Sequence, residues 1–324
     1  MSFTTTSGAA RLVLRTPMAT STTSPCHLLC AAKAAEEIEG TSLQPDPCYY
    51  DEIGFVECPT VIVGGLENID ACLVGTTADA VILSFRGTLP PAPNLPSVLD
   101  WLQDFFAVLV ERPGLPGKVH EGFYDSVVAI FDQVLAEVKA QVSASGLPLI
   151  VTGHSKGASM ATIAAMLLHN ADVAIQEVRV FASPNTGDAD FASGFDAVFS
   201  GSLTLNRYLN YLDVVPLMPP TDALAKELAK APLIGHLFEQ FETAGYTPVG
   251  NGIFVEKDGT LISRAEHWVT YDADILDDLE AIKSELEKGD FSTILNAHSL
   301  SCGYGYMKGV CQDTVCSSSN CQKS

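Results

Sequence analysis

A serine framed by glycines, Gly153-His154-Ser155-Lys156-Gly157, lies between an apolar run at 148–152 and a run of small residues with helical spacing at 156–169. No other feature limits the fold as strongly. A strand that turns abruptly into a helix needs residues without side chains where the two backbones cross. Gly153 and Gly157 supply them, and Ala158 and Ala161 continue the small surface. Ser155 then stands at a helix N-terminus, where backbone N–H groups and the helix dipole favour developing negative charge. The pattern makes Ser155 a candidate nucleophile, with the N–H of Lys156 as a donor to an oxyanion. The bland alternative is a glycine-rich turn without chemistry, which the flanking strand and helix disfavour. The elbow is expected to point the His154 side chain away from Ser155.

Around this motif the chain alternates between strand-like and helix-like stretches. Residues 61–63, 71–74, 80–85, 178–181 and 203–211 read as strands. Residues 27–38, 100–110 and 122–142 have helical spacing, and 274–286 reads as a charged, exposed helix. Residues 252–255 and 260–263 suggest a hairpin around Asp258-Gly259. Residues 222–243 suggest an inserted amphipathic helix or pair, broken at Pro232, and the tail from Cys302 shows no periodicity. Alternation of this kind predicts an α/β fold with a central, mostly parallel sheet flanked by helices on both faces. The expected organisation is a leader at 1–25, one domain at 26–310 and a Cys-rich tail at 311–324.

A nucleophilic serine needs a base, and an acid to orient that base. In a strand–elbow–helix fold the partners follow in the order serine, acid, histidine. Asp213 fits the acid: it follows the largely apolar run 208–212 and precedes Val214-Val215-Pro216, placing a carboxylate at a strand's carboxyl end. The plain alternative is an Asp that caps a loop. Asp188 and Asp190 read as ordinary helix-start residues. Three histidines follow Asp213. His236 sits in the inserted segment among Leu, Ile and Phe, His267 precedes an acidic helix, and His298 lies in a loop after the last helix. Loop placement late in the chain favours His298, with His267 a contender.

Composition narrows the partners. With 18 Lys and Arg against 39 Asp and Glu, the net charge is −21, which repels phosphate backbones and argues against nucleic-acid binding. The longest apolar runs fall short of a bilayer span, so no integral membrane segment is expected. Of nine cysteines, five lie in the first quarter and four in the last 23 residues, none with metal-site spacing. Disulfides pinning the two ends in an oxidising compartment are the simplest reading and favour a secreted, extracellular protein. The first 25 residues, rich in Ser and Thr with two Arg and no acid, offer the alternative of a plastid or other organelle, or of plain disorder.

Six blocks in order resemble the class 3, or fungal-type, lipase family of α/β-hydrolases, across roughly 48–308. Ser84-Phe85-Arg86-Gly87-Thr88 is similar to its oxyanion loop, and Asp100-Trp101-Leu102-Gln103-Asp104-Phe105 to the segment after its lid. Val119-His120-Glu121-Gly122-Phe123 and Phe181-Ala182-Ser183-Pro184-Asn185-Thr186-Gly187-Asp188 resemble two further blocks. Asn206-Arg207 through Asp213-Val214-Val215-Pro216 resembles the acid block, and the elbow completes the set. The resemblance implies Ser155 as nucleophile, Asp213 as acid, His298 as base, and Thr88 with Lys156 as the oxyanion hole. It also implies that the last histidine stands near aromatic residues, a context that Tyr304 and Tyr306 fit. Departures are Lys156 where many relatives carry Leu, a longer insertion at 221–244, and the Cys-rich tail.

The implied chemistry is ester hydrolysis through an acyl-enzyme, without metal or organic cofactor, on a lipid or other ester, with a lipid–water interface as one setting. Triacylglycerol is the first expectation. Feruloyl esters, phospholipids and galactolipids would use the same machinery, and an alcohol intercepting the acyl-enzyme would make an acyltransferase. A catalytically silent, lipase-like interaction protein is the reading from another class. The uncharged stretch 89–98, with four prolines, fits either a mobile apolar flap or a rigid surface loop.

Overall fold

A computed structural model of the chain describes residues 23–39, 42–43, 53–88, 91–94, 97, 101, 105–199, 205–230, 235–264, 279–285, 288–301 and 304–311. In chain order the main elements begin with α1 (Pro25–Glu36), β1 (Thr60–Gly64), β2 (Asp70–Thr76) and β3 (Val81–Phe85). They continue with β4 (Leu109–Glu111), β5 (Lys118–His120), α2 (Glu121–Val128), α3 (Phe131–Ser145) and β6 (Leu149–His154). Next come α4 (Lys156–Asn170), β7 (Ile175–Phe181), β8 (Gly187–Asp188), α5 (Ala189–Val198) and β9 (Asn206–Asn210). The chain closes with α6 (Asp222–Leu228), β10 (Tyr246–Thr247), β11 (Asn251–Val255), β12 (Leu261–Arg264), α7 (Phe291–His298) and α8 (Gly305–Cys311).

Eight strands form the central sheet in the order β12-β11-β9-β7-β6-β3-β2-β1. The five inner strands from β11 to β3 run parallel, while β12, β2 and β1 pair antiparallel at the edges. Both faces are covered, so the strands are apolar on both sides rather than alternating with polar residues. On β3, Val81, Leu83 and Phe85 enter one core with α4, while Ile82 enters the other with α1. The architecture is the α/β class expected from the alternation of elements.

α1 explains the second core. Ser24 caps it by accepting from the His27 N–H, Pro25 fills its first turn, and a run of alanines gives it a small cross-section. Leu28, Leu29, Ala31, Ala32 and Ala35 are fully buried against the sheet. A disulfide between Cys26 and Cys311 ties α1 to α8 across a sequence separation of 285. That bridge joins the two cysteine-bearing ends, as the composition implied. Cys30 is also disulfide-bonded, whereas Cys58 and Cys72 are free thiols. Cys48, Cys302, Cys316 and Cys321 lie outside the described residues.

A second sheet, β10-β8-β5-β4, is small and antiparallel. It overturns part of one expectation, since Leu109–Glu111 pairs with β5 as a strand instead of ending the helix expected over 100–110. The helical stretch at 122–142 divides into α2 and α3 around Ala129-Ile130. Among the described residues of 222–243 there is one α-helix, followed by two single turns, Gly235–Leu237 and Glu239–Phe241. The hairpin around Asp258-Gly259 is present as β11 and β12. The tail is helical at α8, and His298 is the last residue of α7 rather than part of a loop. Residues 89, 90, 95, 96 and 98 of the proline-rich stretch, and most of the leader, lie outside the described residues. No helix among the described residues is long and apolar enough to cross a membrane.

Candidate active site

The elbow is built as its glycines require. Ser155 has φ 57° and ψ −131°, a conformation few non-glycine residues adopt. A Cβ on Gly153 would run into the Gly157 carbonyl, and one on Gly157 into the Phe85 carbonyl. Only glycine at both positions lets β6, α4 and the end of β3 approach this closely. The same closeness brings the Gly87-Thr88 backbone to the serine: a Cβ on Gly87 would lie 3.2 Å from Ser155 Cβ and 2.9 Å from the His154 carbonyl oxygen. Thr88 is half-buried beside it. Lys156 opens α4, so its N–H belongs to the first turn, whose donors have no intrahelical acceptor.

Three strand ends and one helix end converge on Ser155. β9 is followed by Leu212 at φ 66°, a tight turn that delivers Asp213. α7, capped by Asp290 accepting from the Thr293 N–H at 3.0 Å, delivers His298 at its last position. His298 Nε2 lies 3.0 Å from Ser155 Oγ, and Nδ1 lies 3.1 Å from both carboxylate oxygens of Asp213. Asp213 also accepts from the Val215 N–H at 3.0 Å and from the Tyr306 hydroxyl at 2.6 Å. Burial pushes this carboxyl's pKa up, but His298, Tyr306 and Val215 outweigh it, and the net position is below the ordinary carboxylate value. Burial and the Asp213 charge together push the Tyr306 hydroxyl well above its ordinary value, so it stays a donor. Tyr306 in turn accepts from the Asn210 N–H at 3.0 Å.

The row is closed to solvent. Ser155 is 0% exposed, Asp213 4% and His298 5%. Trp101, itself 4% exposed, meets the His298 ring edge-on at 5.1 Å between centroids. Its indole N–H is buried without a hydrogen-bond partner among the described residues. Phe105 backs Trp101 at 5.5 Å. Its carbonyl accepts from His120 Nε2 at 3.0 Å, while His120 Nδ1 accepts from the Phe123 N–H at 3.3 Å. Burial holds the His120 pKa down to about 4, so the ring caps α2 as a neutral donor and acceptor.

Sequence reasoning brought Ser155, Asp213 and His298 forward, and the fold places them in contact. His267 lies outside the described residues, and His236 is exposed on the Gly235–Leu237 turn. The Lys156 side chain does not stand free at the rim: its ammonium lies 2.8 Å from Asp70 Oδ1, with both side chains largely buried. The ring nitrogens of His154 are engaged by Glu36 and by the His298 carbonyl. Asp188 caps α5, as a helix-start residue should. The roles of Tyr306 and Trp101 beside the row were not derivable from spacing, beyond the presence of aromatic residues near the last histidine.

Residues 82–223 match the family model for lipase (class 3). The chain is 30% identical to a lipase of Rhizomucor miehei over 152 residues, covering 45% of this chain and 39% of that protein. It is 33% identical over 149 residues to a secreted mono- and diacylglycerol lipase A of Penicillium cyclopium, covering 45% of each. It is 32% identical over 172 residues to phospholipase A1-II 6 of Oryza sativa subsp. japonica, covering 43% of this chain and 40% of that protein. The matched region thus spans less than half the length of these relatives. The solved Rhizomucor miehei triacylglyceride lipase superposes with a TM-score of 0.55 at 19% identity, over 74% of this chain and 81% of that one. The fold is that of the α/β-hydrolases, and over residues 82–223 the chain is similar to the class 3 lipase family.

Proposed function

We propose that the chain is a serine carboxylic-ester hydrolase, acting on triacylglycerol through an acyl-enzyme on Ser155. The contact of His298 Nε2 with Ser155 Oγ, backed by Asp213, carries this reading. In the proposed cycle His298 takes the Ser155 proton as Oγ attacks the ester carbonyl, and Asp213 steadies the resulting imidazolium. The N–H groups of Lys156 and Thr88 hold the oxyanion, each worth about 3 kcal/mol of barrier. His298 then returns its proton to the leaving alcohol, and water repeats the sequence on the acyl-enzyme. None of these steps needs a cofactor.

Trp101 bears on the substrate. Its indole covers His298 and leaves a polar N–H buried without a partner among the described residues, a cost of about 1–3 kcal/mol that opening would relieve. A cover of this kind, swung away at a lipid–water interface, supports a lipid ester over a freely soluble one. The Cys26–Cys311 disulfide, and the word "secreted" in the name of the Penicillium relative, support an extracellular site of action over an organelle. The rice relative named as a phospholipase A1 favours phospholipid as the second substrate to try.

The test compares hydrolysis of p-nitrophenyl butyrate, an emulsified long-chain triglyceride and a phosphatidylcholine emulsion by wild type and by Ser155→Ala, His298→Ala and His267→Ala. Activity should vanish in the first two variants and persist in the third. The substrate ratio sorts lipase from phospholipase and short-chain esterase. A wild type inert on all three and unlabelled by a fluorophosphonate probe would refute the hydrolase reading and leave the silent interaction protein.

A further inference from the structure

The main chain of His298 is held from an unexpected quarter. α7 ends at His298, and the last carbonyls of a helix have no intrahelical donor. Two of them are satisfied from the neighbouring fold. Asn210 Nδ2 donates to the Ala297 carbonyl at 2.8 Å, and His154 Nε2 meets the His298 carbonyl at 2.9 Å. The His154 ring lies 4.5 Å from the His298 ring, and both are almost wholly buried.

The carbonyl can only accept, so His154 Nε2 carries a proton in any arrangement. At the opposite edge of the ring, Nδ1 lies 2.5 Å from Glu36 Oε1. Glu36 is the last residue of α1, the helix seated in the second core and bound through Cys26 to α8. The ring of His154 is therefore fixed at both ends, by a carboxyl group from α1 and by the carbonyl it serves. Through that bond the residue beside the nucleophile sets the position of the residue that would deprotonate it.

We propose that His154, oriented by Glu36, is a positioning residue for His298. This rests on the reading of Ser155 and His298 as nucleophile and base. It acts on the proton transfer through placement of the His298 ring and touches no substrate atom. A misplacement of order 1 Å at a reacting group costs about 100-fold in rate, so loss of the anchor is expected to cost about 10- to 100-fold and loss of its Glu36 support somewhat less.

The experiment uses the full chain. It measures kcat and KM on p-nitrophenyl butyrate, the second-order rate of fluorophosphonate labelling, and the thermal midpoint, for wild type, His154→Ala, His154→Gln, Glu36→Ala and Glu36→Gln. Gln at 154 sets an N–H2 at about the reach of imidazole Nε2, and Gln at 36 keeps a hydrogen-bonding group toward Nδ1. Expected are losses of about 10- to 100-fold in kcat and labelling for His154→Ala, with KM held within about twofold. Glu36→Ala should lose about 3- to 10-fold, and both Gln variants should recover most of the loss of their Ala counterparts. The role is overturned if folded His154→Ala and Glu36→Ala keep wild-type kcat. It is also overturned if Gln does no better than Ala at either position, since the loss would then follow ring packing. Should His154→Ala fail to fold, the two Glu36 variants, at a partly exposed position, decide it alone. Absence of labelling in wild type overturns the hydrolase reading and this role together, whereas a labelled wild type with indifferent variants overturns only this role.

Discussion

Replacing Tyr306 by Phe removes one oxygen atom from the most heavily buried corner of the site. The ring stays, so no large cavity opens. Asp213 loses a donor at 2.6 Å, and the Asn210 N–H loses its acceptor at 3.0 Å. A hydrogen bond to a charged group is worth about 1.5–3 kcal/mol, and an orphaned buried N–H costs about 1–3 kcal/mol. The two losses share one atom, so a destabilisation of about 3 kcal/mol is expected, a fall in Tm of about 4 °C for a chain of this size. Asp213 sits below its ordinary pKa in the fold. A carboxyl depressed on folding contributes stability that is full above its unfolded pKa, near about 3.9, and is lost as pH falls through the folded value. Tyr306→Phe removes part of that depression. The gap between wild type and variant should therefore be constant above about pH 5 and narrow below about pH 4. Urea unfolding at pH 7, 5 and 3.5 measures it. Turnover at pH 8 should fall by no more than about 10-fold, because Asp213 keeps His298 and the Val215 N–H. A variant as stable as wild type at pH 7, or a gap unchanged at pH 3.5, refutes the account of how this carboxylate is held.

Two further predictions concern the cover and the bridge. Trp101→Ala should expose Ser155 without an interface, raising fluorophosphonate labelling in plain buffer at a stability cost of about 3 kcal/mol; unchanged labelling would mean that some other element closes the site. Cys26→Ser opens a covalent loop spanning 285 positions and should cost about 4 kcal/mol by urea unfolding under oxidising conditions, with free-thiol titration confirming that the Cys311 partner is released.

The elbow was legible because its constraint is steric and local: glycine is demanded at 153 and 157 by carbonyls that lie in the way of any side chain. Asp213 was legible from its place at the end of an apolar strand run. His298 was only favoured over His267, since what brings a histidine to a serine 143 positions away is the packing of α7, not a local pattern. Residues 109–111 were misread because a short apolar run fits both helix and strand periods, and pairing with Lys118–His120 decides between them. α8 escaped notice because seven residues with glycines at 305 and 309 carry no usable period; a disulfide and the buried Tyr306 hold it in place. Glu36 could not have been singled out, because its partner lies 118 positions away.

The convergence of both chain ends on one residue row has a consequence for synthesis. At roughly 5–20 residues per second, the 143 positions between Ser155 and His298 take about 7–30 s to translate. Through that interval strands β1–β6 can pair and the elbow can form, while on the proposed roles Ser155 still lacks its base. On the proposed roles, a nascent chain would stay without a reactive serine until α7 docks His298 against it.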